Sequence, residues 1–434
     1  MKSRFKAFYT KVRQSKFAQD SFWALFGNVL AKAMSLLGAI IVARLLGKEI
    51  FGEFGTIRST LISVAMFSTF GLGYTATKFI AESKDRNPNL IKGIAILTMG
   101  ISLVLSGILA ILLFVFAKYV SDVIFEAPHL VTPVRLVSFW VIFSALTTAQ
   151  IGILSGFNAF KSMARINTYV GILAFTNSFI LTYFFDLNGA LIALLCTQIF
   201  NCYLNYMEVQ KFIPAANLVG SAEFKALSKK ILKFSTPVAM QEGLYALTSW
   251  LTIILLLKFS DYGEVGLYSA AAQWSAIILF IPGILRNVIL THLSENNKDL
   301  LKHTEIIRKT ILINLVTTVI PFIGIYLLRH WIVGFYGESY KDELDYILAI
   351  SLFSTIFISI SNVYAQAFMS IDKNWYMFGL RFTRDVLIIT GTYLFLINNI
   401  YSGALSLVVS NLIIQICFLV IIMFIYNNIK LGHV

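Results

Sequence analysis

About twelve apolar stretches, each near the roughly 20 residues a helix needs to cross a hydrocarbon core of about 30 Å, fill almost the whole of this 434-residue chain. Several of them carry isolated Lys or Arg residues well inside. Uncharged runs such as 93–117, 166–185, 187–207, 310–328 and 346–371 meet the length requirement without interruption. Hydrophobic residues make up 58% of the chain against 13% charged, with a mean hydropathy of +0.78, too apolar for a water-soluble core of this length. The chain therefore reads as an all-α polytopic membrane protein, and helices rather than a barrel are implied.

The expected spans are 21–46, 57–80, 93–117, 132–155, 165–185, 188–207, 234–258, 266–291, 306–329, 343–369, 376–397 and 403–427. The first run is too long for a signal-peptide core and lacks a small-residue cleavage site, so it is read as a retained helix. With the N-terminus inside, about 19 Lys and Arg residues fall in tails and loops on the cytoplasmic side against about 3 outside. Both termini are thus expected in the cytoplasm. The net charge of +13 is then mainly a topology signal, and nucleic-acid binding, which needs a soluble basic surface, is set aside. In the N-terminal tail, Phe5, Phe8, Tyr9 and Val12 lie at helical spacing among Lys2, Arg4, Lys6, Lys11 and Arg13. An interfacial helix on anionic lipid has this pattern, and so does a plain topogenic tail.

Loops are short except for the basic segment 208–233, which divides six spans from six. The expected organisation is an N-terminal lobe, 1–207, a cytoplasmic linker, 208–233, and a C-terminal lobe, 234–434. A shift of 214 positions lays Val265, Gly266, Leu267 and Tyr268 on Phe51, Gly52, Glu53 and Phe54, and Lys258, Ser249 and Glu242 on Arg44, Ser35 and Asn28. Six helices per repeat is an even number, so the halves share one orientation about an axis along the membrane normal.

The informative residues are the charges that loops do not explain. Lys32 lies about 11 residues, or roughly 17 Å, into the first span, close to the bilayer midplane. Asn28, Lys32 and Ser35 share one helix face, as do Glu242, Tyr245, Ser249 and Thr252 on the seventh span. On the eleventh, Arg381 and Asp385 have the i, i+4 spacing of an ion pair, which leaves Arg384 without a local partner. A charge at the bilayer centre costs about 2.5–3.5 kcal/mol on insertion scales, so such residues line protein-enclosed or water-filled space, and surplus positive charge there attracts anions. By contrast, Arg44, Lys78, Arg135, Lys258 and Arg329 stand near helix ends, where long side chains reach the interface. Arg58 is set apart from these by Ser59, Thr60 and Ser63, which extend a polar surface below it, while Arg286 beside Asn287 fits either reading. For Lys32 and Glu242 the bland alternative is a buried ion pair with each other.

The chain holds no Walker A loop, zinc-type His pair or serine-nucleophile elbow in a credible context, and no metal site is expected. The histidines His129, His292, His303, His330 and His433 fall in loops, helix ends or the tail. Cys196, Cys202 and Cys417 lie in apolar spans and offer no disulfide framework. An enzyme is disfavoured.

The stretch Ala43-Arg44-Leu45-Leu46-Gly47 with Phe51-Gly52-Glu53-Phe54 resembles the turn between the first two helices of Wzx-type O-antigen and polysaccharide flippases. Gly71-Leu72-Gly73 with Thr75-Ala76-Thr77-Lys78-Phe79-Ile80-Ala81-Glu82 resembles the end of their second helix, and Glu264-Val265-Gly266-Leu267-Tyr268-Ser269-Ala270-Ala271 the corresponding turn of their second half. The resemblance implies the fold of the multidrug/oligosaccharidyl-lipid/polysaccharide exporter superfamily, with two pseudo-symmetric six-helix lobes around a central cavity. It also implies a bacterial inner-membrane flippase for undecaprenyl-pyrophosphate-linked oligosaccharide, working beside the polymerase and chain-length regulator of the same pathway. Lys32, Arg58, Arg286, Arg381, Arg384 and Asn28 are then expected to form a cationic cavity for pyrophosphate and sugar. Glu242 and Asp385 are the candidates for charge pairing or for accepting a coupling proton or sodium ion, and no other cofactor is expected. The alternative is a multidrug-extrusion-type antiporter of small organic ions, against which the excess of Lys and Arg over two deep carboxylates argues. A major-facilitator transporter lacks support in the sequence after helix two, and a polymerase or ligase is expected to carry a large periplasmic loop.

Overall fold

Gly47 breaks the chain's first long helix. In the computed structural model, α1 runs Lys16–Thr69, but Gly47 has φ 73° and ψ 171°, a region open almost only to a residue without a Cβ. The 54 residues therefore form two arms joined by a turn at the expected boundary between the first two spans. Gly47→Ala is expected to lower stability by about 1–3 kcal/mol, the cost of forcing a side chain into that region. A melting temperature equal to that of the wild type would refute a conformational role for the glycine.

The structure describes residues 16–84, 89–213, 220–283, 285, 289, 293, 300–371 and 373–431; the tail 1–15 and Arg286 lie outside them. The remaining helices are α2 (Leu72–Ser83), α3 (Asn89–Val115), α4 (Val131–Ser138), α5 (Trp140–Gly156), α6 (Phe160–Phe212), α7 (Ser221–Phe259), α8 (Tyr262–Ile278), α9 (Leu300–Tyr336), α10 (Leu344–Ser370), α11 (Asn374–Ile397) and α12 (Gly403–Leu431). No strand occurs among the described residues. Within these, each of the twelve expected spans is helical. Like α1, α6 is two crossings in one run: Phe185 and Asp186 leave helical geometry, Asp186 with φ 47°, where the boundary between the fifth and sixth spans was expected. Gly189 fits this reversal because a Cβ there would overlap the Leu181 carbonyl. Large apolar side chains such as Leu301, Leu327, Trp331, Trp375 and Phe424 stay exposed, as a surface facing lipid requires.

The chain divides into two compact units, Met1–Leu45 with Ile57–Leu247, and Leu46–Thr56 with Thr248–Val434. The division falls inside α7, and the turn of α1 belongs to the second unit. The segment 208–233, read from sequence as a linker, is largely helical: 208–212 complete α6 and 221–233 open α7. Leu227, Ile231 and Ser235 recur at i, i+4, i+8 and are buried, and Ser235 shares a 2.7 Å hydrogen bond with Thr75 of α2.

In the first unit, small residues let backbones touch, as helices without a solvent-driven hydrophobic force need. A Cβ on Gly152 of α5 would overlap the Gly73 carbonyl of α2, and one on Gly156 would lie 2.9 Å from the Thr77 carbonyl. Thr77 Oγ1 donates across the same seam to Gly152 O at 3.0 Å. Gly171 of α6 faces the Ala31 backbone in the same manner, and a Cβ on Gly38 of α1 would come to 3.4 Å from the Phe175 backbone.

In the second unit the α1 turn seats on the start of α8. A Cβ on Gly52 would overlap the Tyr262 carbonyl oxygen, and one on Gly266 would overlap the Lys48 carbonyl oxygen. Both pairs, Gly52 with Gly266 and Lys48 with Tyr262, are separated by 214 residues, the offset read from the sequence repeat. Each glycine meets the carbonyl of the residue four positions before the other, which is how two equivalent segments meet across a pseudo-two-fold axis. Around this junction Lys48 Nζ donates to Glu343 Oε2 at 2.7 Å, Asp261 caps α8 by accepting from the Glu264 N–H at 2.9 Å, and Glu264 accepts from the Ala404 N–H at the start of α12, 2.6 Å away. Burial pushes the Glu264 carboxyl above its ordinary range, and the Ala404 N–H opposes the shift.

His303 stands in the first turn of α9, at a helix end as read from the sequence, and is 2% exposed. Its Nε2 lies 3.0 Å from Ser370 Oγ and its Nδ1 3.2 Å from the Tyr426 hydroxyl. Ser370 Oγ also lies 2.8 Å from Ala367 O. The imidazole, with a hydroxyl at each nitrogen, ties α9 to α10 and α12.

Candidate functional site

The two arms of α1 bring two cations together. Lys32, exposed on the first arm, and Arg58, half-buried on the second, lie within Coulombic range of each other. Burial and the Arg58 charge are what act on Lys32 among the described residues. Arg58 has no carboxylate partner among them. Like charges placed side by side repel, and an anion between them relieves both.

Asn28, one turn before Lys32, accepts a 2.7 Å hydrogen bond from Asn167 Nδ2 of α6. The close approach of Gly171 to Ala31 fixes this neighbourhood, since it brings α6 against the arm that carries Lys32. Asn167 was not picked out from sequence, although an Asn two residues into an apolar span is a readable signal. Glu242, half-buried, is on the part of α7 that belongs to the same unit. Ser63, read as part of a polar surface below Arg58, is instead buried and donates to Ala246 O at 3.1 Å; it joins helices.

Arg381, Arg384 and Asp385 stand on α11 in the second unit. The spacing left Arg384 without a local partner, but it bridges its neighbour Asp385, with Nε at 2.8 Å and Nη2 at 2.5 Å from Oδ1. Adjacent residues point about 100° apart on a helix, yet the long Arg stem folds back to reach its neighbour. The guanidinium also lies over the Phe418 ring of α12, 5.2 Å from its centroid. Asp385 is 5% exposed. Arg384 is therefore neutralised in place, while Arg381 is half-buried on the same helix. Surplus positive charge without a carboxylate is a feature of the Lys32–Arg58 pair of the first unit.

Spanning helices, a repeated half and polar groups inside the membrane define a multi-span membrane transporter. The fold matches that of solved transporters: an inward-facing multidrug resistance MATE family transporter of the MOP superfamily at a TM-score of 0.76, with 16% identity over 92% of this chain and 95% of that one. A lipid II flippase, MurJ, in an inward closed conformation superposes at 0.71, with 15% identity over 94% of this chain and 87% of that one. A MOP superfamily transporter from Pyrococcus furiosus, described as having a binding pocket of reverse polarity, superposes at 0.68, with 16% identity over 96% and 98%. An uncharacterized membrane protein of Methanocaldococcus jannaschii is 26% identical over 308 residues, 68% of this chain and 71% of that protein. Residues 17–295 match the model of the family described as polysaccharide biosynthesis protein. The chain belongs to that family.

Proposed function

We propose that the protein is a flippase that moves an undecaprenyl-pyrophosphate-linked oligosaccharide from the cytoplasmic to the periplasmic leaflet of a bacterial inner membrane by alternating access, with both termini cytoplasmic. The observation that carries this reading is the Lys32–Arg58 pair: two cations in Coulombic range on membrane-spanning arms, with no carboxylate to neutralise them among the described residues. A pyrophosphate diester brings two negative charges, and charge-assisted hydrogen bonds to them replace hydration lost inside the membrane. The membership in a polysaccharide biosynthesis family supports a lipid-linked saccharide as the cargo. Asn28 and Asn167 offer neutral amides beside the cations, suited to sugar hydroxyls. In this scheme Glu242 or Asp385 accepts a coupling proton or sodium ion, and the polymerase and chain-length regulator of the pathway receive the product.

The test is leaflet-resolved translocation of a fluorescent lipid-diphosphate oligosaccharide in proteoliposomes. A hydrogen bond to a charged group contributes about 1.5–3 kcal/mol, so Lys32→Ala and Arg58→Ala are each expected to slow transport by roughly 10-fold to 150-fold. Lys32→Arg, which keeps the charge, is expected to retain most of the rate. Unchanged transport in both alanine variants would overturn the anion-site reading, and export of an organic cation in place of the lipid would move the protein to the multidrug class.

A further inference from the structure

The first 13 residues of α7 bear four exposed lysines, three of them at the i, i+4, i+8 spacing of one face. Leu227 and Ile231 are buried, whereas Lys225, Lys229, Lys230 and Lys233 are exposed, and none of the four pairs with a carboxylate among the described residues. The seam beneath them is held by reciprocal contacts: Lys78 of α2 lies over the Phe234 ring at 4.3 Å, Lys230 of α7 lies over the Phe79 ring at 5.0 Å, and the two rings meet edge to face at 5.9 Å. Glu82 at the end of α2 and Glu223 at the start of α7 are near in sequence, and neither bridges any of the four lysines among the described residues.

Helix length places these lysines relative to the bilayer. α7 has 39 residues, or about 58 Å at 1.5 Å per residue. The apolar run of α7 expected to cross the membrane opens at residue 234, with Pro237 inside the helix. The headgroup layer beside the hydrocarbon is about 5–7 Å deep, or about four to five helical residues. Lys229, Lys230 and Lys233 thus stand at headgroup depth and Lys225 beyond it, on a helix held in register by the Thr75–Ser235 hydrogen bond.

We propose that Lys229, Lys230 and Lys233 form a docking face for the phosphates of anionic phospholipid headgroups, the occupant that matches them in charge and depth. This surface acts independently of the cargo carried at Lys32 and Arg58. Each lysine close to an anionic surface contributes about fivefold in affinity, and the effect fades over a Debye length of about 8–10 Å. The test titrates the purified full-length protein in a neutral detergent with short-chain phosphatidylglycerol, following the rise in melting temperature. Short-chain phosphatidylcholine and inorganic phosphate serve as parallel titrants. Lys229→Gln with Lys233→Gln is expected to raise the half-saturating phosphatidylglycerol concentration roughly 25-fold, and Lys225→Gln by less than about twofold. Lys230 is left intact because it packs on Phe79. Equal half-saturation in wild type and double variant would overturn the proposal, as would an equal rise with phosphatidylcholine, which would mean apolar solvation, or with phosphate, which would mean a free-anion site. Should the double variant lack a cooperative melt, Lys233→Gln alone is expected to shift half-saturation about fivefold, and no shift would be equally damaging.

Discussion

Gly52→Ala and Gly266→Ala are each expected to abolish the folded state, or to lower its stability by more than the roughly 1–3 kcal/mol usual for an overpacked core. In both cases the added methyl falls on a backbone carbonyl, that of Tyr262 or Lys48, and not on the end of a flexible side chain. Relief requires the α1 turn and the start of α8 to part. Parting them strains the Lys48–Glu343 pair, whose partly exposed partners hold it only weakly. The control is internal to the chain. Gly100 and Gly107 are also helical, and a Cβ on either meets nothing within 4 Å; Gly→Ala there is expected to be neutral or to stabilise by about 0.5–1 kcal/mol through helix propensity. Melting temperatures in mild detergent separate the two pairs. A Gly52→Ala protein as stable as Gly100→Ala would sink the junction, and with it the structural meaning of the 214-residue repeat.

That junction was half legible in the sequence. The offset followed from matching Phe51-Gly52-Glu53-Phe54 to Val265-Gly266-Leu267-Tyr268, but matching segments do not reveal that they touch each other. The crossings and their breaks at Gly47 and Asp186 were readable because a bilayer imposes one length on every apolar run. The helical start of α7 was readable too, from Phe224, Leu227 and Ile231, yet its lysines drew the eye to a loop. What one-dimensional spacing could not supply was side-chain reach. The i, i+4 rule left Arg384 without a local partner, whereas Arg384 reaches Asp385 by folding back and rests on Phe418, a residue of another helix. His303 shows the same limit: its place near a helix start says nothing of burial, which the convergence of α10 and α12 supplies.

Arg384→Ala is expected to act on stability first and on transport only as a consequence, in contrast to Lys32→Ala. Removing one partner of a buried ion pair leaves the other charge uncompensated, at a cost of about 3–5 kcal/mol. Asp385, at 5% exposure, is the partner that would be stranded. The reverse change, Asp385→Ala, is expected to cost less, because Arg384 keeps its contact with the Phe418 ring and is more accessible, at 17% against 7% for the side chains of the pair. Replacing both with apolar residues of similar volume, Arg384→Met with Asp385→Leu, is expected to recover most of the loss, since well-packed apolar pairs often equal or exceed a buried ion pair. Lys32→Ala strands no carboxylate and is exposed, so its melting temperature is expected to stay close to wild type while translocation falls. Reading stability and transport side by side for the four variants therefore assigns each unit its role. If Arg384→Ala melts like wild type but stops transport, the second unit carries a substrate cation, and the anion site extends beyond the arms of α1.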